Sequence, residues 1–142
     1  MNKIKKTYYA QLSANNRDKQ IAMIKKSRRM YKKGKYFTRK KLNYPVKISP
    51  HIIRAQKIYG TKIIPSKELA SKTGCSLKAL QQIVKKGEGA YYSSGSRPSQ
   101  TAHSWAYARL ASAISGGKAS KVDYHILKTC NKSKKAFQLA KL

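Results

Sequence analysis

The chain has 142 residues, enough for one domain and short of two. It carries 33 Lys and Arg against four acids, a formal charge of +29. Self-repulsion at that density destabilises a compact state, so a large bound anion is the expected compensation. The acids are Asp18, Glu68, Glu88 and Asp123. Scattered in this way, they exclude the clustered carboxylates that a Mg²⁺ nuclease or polymerase centre needs.

The charge is uneven. Residues 1–60 hold 18 basic residues and one acid, whereas residues 61–142 hold 15 and three. The apolar residues lean the other way. A basic N-terminal region over 1–50, with one helix, is therefore expected ahead of a mainly α-helical domain over 51–142.

Residues 1–12 read as extended or disordered. Ser13 is a candidate N-cap for a helix over 14–33, and Gly34 is its stop. The run KKSRRMYKKGKYFTRKK (25–41) mixes cations with Tyr31, Tyr36 and Phe37. Cations suit phosphates and rings suit bases, so Lys25, Lys26, Arg28, Arg29, Lys32 and Lys33, followed by Arg39, Lys40 and Lys41, are candidate nucleic-acid contacts. The competing reading is a solvated basic face whose rings pack on the core. Pro45 and Pro50 bracket YPVKISP, which reads as a linker. A short helix over 51–59 ends at Gly60.

The stretch SKELASKTGCSLKALQQIVKK (66–86) is the most informative. Ser66 and Ser76 are N-caps, Gly74 allows a tight turn, and Leu69, Ala70, Leu77, Leu80 and Ile83 carry apolar helical spacing. This pattern fits a helix-turn-helix-like pair whose second helix ends at Gly87. Lys78, Gln81, Gln82 and Lys85 then form one exposed stripe able to meet base edges or phosphates. An ordinary αα-hairpin needs the same small residue, glycine and spacing.

Residues 87–101, rich in Gly and Ser, read as a loop. Ser93, Ser94, Ser96 and Arg97 are candidates for an anion nest, against a structural loop in which Arg97 bonds backbone carbonyls. No G-K-[ST] follows, so it is not a Walker loop. The Ala-rich stretch from Ser99 reads as a helix closing on Gly116 and Gly117, with Trp105 as a core anchor. Leu69, Leu80, Ile83, Trp105, Leu110 and Ile114 are the expected buried set. Short helices over 122–128 and 133–141 complete the domain.

Cys75 and Cys130 have no C-x-x-C spacing, and with His51, His103 and His125 they give no zinc pattern, so free thiols are expected and no metal or cofactor is. The stretch 105–114 is too short to span a bilayer and contains Arg109. The N-terminus lacks the apolar core of a secretory signal. Ser104 with His103 or His125 has no carboxylate orienter, so no enzyme and no small-molecule substrate are expected.

The segment GEGAYYSSGSRPSQTAHSWAYARLASAISGGKASKVDYHIL (87–127) is similar to the signature of a family of small basic proteins in large DNA viruses of algae and protists. KKSRRMYKKGKYFTRKK and PSKELASKTGCSLKALQQIVKKG occur there in the same order, so the resemblance covers most of residues 13–142. Glu88, where a small or basic residue is usual, departs from the pattern and weakens a phosphate-cradle reading. The resemblance implies a viral origin and no particular activity. Together these readings point to a viral DNA-binding protein that holds duplex DNA mostly through phosphates, in the virion and in host cytoplasm or nucleus during infection. The alternative is a structural virion component whose basic arm bridges other shell proteins. RNA remains a third candidate polyanion.

Overall fold

The computed structural model describes residues 3–45 and 48–142. Its elements are a 3₁₀ turn Lys6–Tyr8 followed by α1 (Ala14–Lys32), α2 (Pro50–Tyr59), α3 (Lys67–Thr73), α4 (Leu77–Ser93), α5 (Ala102–Ile114), α6 (Lys118–Val122), α7 (Tyr124–Leu127) and α8 (Lys135–Lys141). No strand occurs among the described residues, and the protein is mainly α-helical. Val46 and Lys47, inside the expected linker, lie outside the described residues.

Packing divides the chain into two units, one of residues 1–47 with 88–105 and one of 48–87 with 106–142. The chain passes between them within α4 and again within α5. The N-terminal segment is thus not an arm set before a domain over 51–142, because residues 88–105 complete its unit.

In the second unit, local chemistry places each helix start. The Ser49 hydroxyl accepts from the His51 amide at 3.2 Å, with Pro50 in the first turn of α2. Ser66 accepts from Leu69 at 3.0 Å and Ser76 from Ala79 at 3.1 Å. Each satisfies one donor that a helix start leaves open. The core holds Leu69, Leu80, Ile83, Leu110 and Ile114, all completely buried, together with Ala55, Tyr59 and Leu127. Gly74, at φ 80°, ends α3, and its carbonyl accepts from the Asn131 amide at 2.8 Å. That turn meets the segment between α7 and α8, and Cys75 is joined to Cys130 by a disulfide. The thiols expected to be free are therefore paired. A separation of 55 residues leaves no local trace of the pairing.

The second helix of the expected pair does not stop at Gly87 but runs to Ser93. A Cβ on Gly87 would lie 2.7 Å from Ala106 Cα on α5. This glycine serves a close helix crossing, and the same small side of α5 explains its alanines. Within the unit, the Arg109 guanidinium grips the completely buried Asp123 through two bonds, Nε to Oδ2 at 2.9 Å and Nη2 to Oδ1 at 2.7 Å.

In the first unit, the Ser13 hydroxyl caps α1 by accepting from Asn16 at 3.3 Å. Gly34 stops the helix at φ 76°. The bonds from Gly34 N to Tyr31 O at 3.0 Å and from Lys35 N to Met30 O at 2.9 Å complete a Schellman closure. Residues 3–12 are not simply extended: beyond the 3₁₀ turn, Tyr8 and Leu12 are buried. Trp105 is only half-buried, its ring 5.8 Å from Tyr8 at 82°. As the expected core anchor it is corrected to a residue on the margin of this smaller, more polar unit.

Candidate nucleic-acid interface

The basic run divides into cations that face water and cations that hold the fold. Lys25, Lys26, Arg29, Lys32 and Lys33 on or just after α1 are exposed, as are Lys40 and Lys41 beyond it. Arg28 and Arg39 are 8% and 7% exposed. Their partners are backbone oxygens near the end of α4. Arg28 Nε donates to Ser94 O at 2.9 Å, and Arg39 Nη1 donates to Tyr91 O at 2.9 Å. Ser27 Oγ donates to Tyr92 O at 2.9 Å and Gln20 Nε2 to Ser96 O at 3.3 Å.

A helix leaves its last carbonyls without intrahelical donors and ends in partial negative charge. Side chains from the N-terminal segment supply those donors, and two of them are guanidinium groups. The Arg39 guanidinium also lies 3.9 Å from the Tyr91 ring centroid. Burial pulls its pKa down, while Tyr91, Tyr8 and Tyr92 act in the opposite sense. Burial likewise pushes the Tyr8 phenol up, opposed by Arg97, Arg39 and Arg28. Arg28 and Arg39, expected to contact nucleic acid, are thus reassigned to helix capping.

The anion nest expected around 93–97 is also changed. Ser93 belongs to α4. The Ser96 hydroxyl is buried, accepting from Arg39 Nη2 at 2.7 Å and donating to Arg97 O at 3.0 Å. Arg97 and Ser94 remain exposed. The role of satisfying loop carbonyls, considered for Arg97, falls instead to Arg28 and Arg39.

On α4, Lys78, Gln81, Gln82 and Lys85 are all exposed, while Leu80, Ile83 and Val84 are buried. The stripe therefore exists as helical spacing predicts. Lys86, beside it, lies 3.1 Å from His125 Nε2.

Sequence reading missed a tyrosine cluster. Tyr31 and Tyr92 are nearly parallel, 9° between planes and 6.3 Å between centroids. Tyr36 is 5.0 Å from Tyr92 and 6.1 Å from Tyr31. Nearby in sequence, Lys26 Nζ sits 4.6 Å from the Phe37 centroid. The tyrosines of the basic run and the YY of 91–92 were the available signal, but nothing in their spacing joined them.

Among the described residues, no helix is long and apolar enough to cross a membrane, and no group of three His, Cys, Asp or Glu could hold a metal ion. Residues 5–134 match the model of a family of unknown function (DUF5824). No curated protein and no solved structure matches the chain.

Proposed function

We propose that this chain, which belongs to that family of unknown function, binds duplex DNA through its phosphates with little sequence selectivity. One observation carries the reading: 33 basic side chains face four acids, and those acids are already engaged in part within the protein. Glu68 pairs with Lys72 at 3.6 Å and Asp123 with Arg109, while Glu88 lies 3.6 Å from His103. Internal pairing therefore leaves nearly the whole positive charge for an external polyanion. Each neutralised phosphate releases counterions, so association is driven by charge and opposed by salt.

The contact surface in this reading comprises Lys25, Lys26, Arg29, Lys32, Lys33, Lys40, Lys41 and Arg97, all exposed. The Lys78–Gln81–Gln82–Lys85 stripe is the candidate for any groove contact by a helix-turn-helix-like pair. Substituting Gln81 and Gln82 by Ala then relaxes whatever preference exists, whereas Lys85→Ala weakens all sequences alike. The reading contains no catalytic step. The viral resemblance of 87–127 supports a protein packaged with the genome, present in virions and in host cytoplasm or nucleus during infection.

The deciding experiment is a salt titration of affinity for an arbitrary duplex. A log–log slope of several units is expected; a flat response from low to physiological salt refutes the phosphate mechanism. The disulfide favours a second reading, a structural shell component, because such bonds persist in oxidising settings such as virion surfaces. Fractionation of virions before and after genome release separates the two: a genome binder leaves with the DNA, and a shell component stays.

A further inference from the structure

We infer that Tyr31, Tyr36 and Tyr92 form a stacking platform for unpaired bases, so that single-stranded nucleic acid is a ligand of the N-terminal unit. The inference rests on the polyanion reading and adds a ligand class to it. Tyr36 is 70% exposed and Tyr31 37%. The same unit buries Tyr8 and Tyr91, so exposure is particular to these rings.

The fold builds the platform from two distant segments. The Schellman closure at Gly34 turns the chain back, so that Tyr36 returns towards Tyr31 at the end of α1. Gly89 on α4 leaves room for the Tyr31 hydroxyl, which lies 3.2 Å from where a Cβ would stand. Tyr92, three residues further along the same helix, then stacks on Tyr31.

The surrounding charge selects the occupant. Lys32, Lys33 and Lys35 are exposed and interleave with the rings in sequence. Residues 25–41 contain no acid. Glu88, one turn before Tyr92, lies 3.6 Å from His103 and is the only acid between residues 69 and 122. Rings beside cations fit a strand that offers base faces and phosphates together. A duplex offers phosphates but keeps its base faces stacked inside. An acidic peptide would match the cations and leave the rings unused.

The test compares three fluorescent ligands of equal length: oligothymidine, an abasic strand and a duplex. The wild-type protein is expected to bind oligothymidine about tenfold or more tighter than the abasic strand. Tyr36→Ala should abolish that difference and leave duplex affinity unchanged, while Tyr36→Phe should preserve it. The exposure of Tyr36 makes loss of fold avoidable, and circular dichroism checks it. Equal affinity of the wild type for thymidine and abasic strands overturns the inference, as does a Tyr36→Ala loss that is the same on all three ligands. Salt-sensitive duplex binding without a base contribution sinks the platform alone. No binding to any of the three sinks both readings.

Discussion

Replacing Arg39 by Met removes a guanidinium while keeping most of an apolar stem, and so separates a cation that holds the fold from one that meets DNA. Two hydrogen bonds are lost, to Tyr91 O at 2.9 Å and Ser96 Oγ at 2.7 Å, together with the ring contact at 3.9 Å. Hydrogen bonds from a charged donor contribute roughly 1.5–3 kcal/mol each, and a desolvated cation–ring contact roughly 0.5–2 kcal/mol. Against this, the substitution relieves the desolvation of a buried cation and its repulsion from Arg28. Such terms are not additive, and the offset is large for a buried charge. A net destabilisation of about 3 kcal/mol is expected. Trp105, the sole tryptophan, belongs to the same unit and reports the transition by fluorescence in urea. Lys40→Met is the companion, one residue away and exposed. It should leave the urea midpoint in place and weaken DNA binding at low salt. Under conditions where both variants are folded, Arg39→Met should bind DNA more nearly like wild type than Lys40→Met does. An unchanged midpoint for Arg39→Met, or a DNA loss exceeding that of Lys40→Met, refutes the capping assignment.

Three further outcomes are expected. Tyr59 is buried and donates its hydroxyl to Ile114 O, and burial holds its pKa well above the ordinary tyrosine value. Its stabilising contribution is complete below the unfolded pKa near 10 and falls away as pH rises above it. Tyr59→Phe should therefore cost about 1–3 kcal/mol at neutral pH through the unpaired carbonyl and show a shallower alkaline decline in thermal stability; identical alkaline profiles would contradict this. Reducing the Cys75–Cys130 bond, which closes a 55-residue span, should lower stability by about 4 kcal/mol on the chain-entropy estimate, checked by denaturation with and without reductant and by the mass gained on alkylation. Gly87→Ala should destabilise by roughly 1–3 kcal/mol through overpacking against Ala106, overriding a helix-propensity gain of about 1 kcal/mol; a rise in melting temperature would show that α5 yields.

What the sequence made legible was mostly local. Ser13, Ser66 and Ser76 cap as read, because a hydroxyl acting three residues away needs no tertiary knowledge. Gly34 and Gly74 stop helices at positive φ. The stripe on α4 followed from spacing alone. Gly87 failed because a helical glycine that admits a neighbouring helix looks the same in sequence as one that ends a helix. Arg28 and Arg39 failed for a related reason. In a run crowded with cations, nothing local marks the two whose partners lie 66 and 52 residues away. Similar distances hid the tyrosine cluster and the disulfide, whereas Arg109 and Asp123, 14 residues apart, lie on different helical segments whose packing no local pattern sets. Trp105 was misjudged because size was taken as a guide to depth.

The discontinuity of the first unit has a consequence for its birth on the ribosome. Tyr91, which Arg39 caps, is synthesised 52 residues after it, a delay of roughly 3–10 s at ordinary elongation rates. Throughout that interval, the most basic part of the chain exists without the carbonyls that will engage Arg28 and Arg39. Until residues 88–96 arrive, this polycation beside ribosomal RNA lacks the partners that complete its unit. Slow translation through 48–87 prolongs that exposure, and synonymous codon changes there should alter the yield of folded protein without altering a single residue.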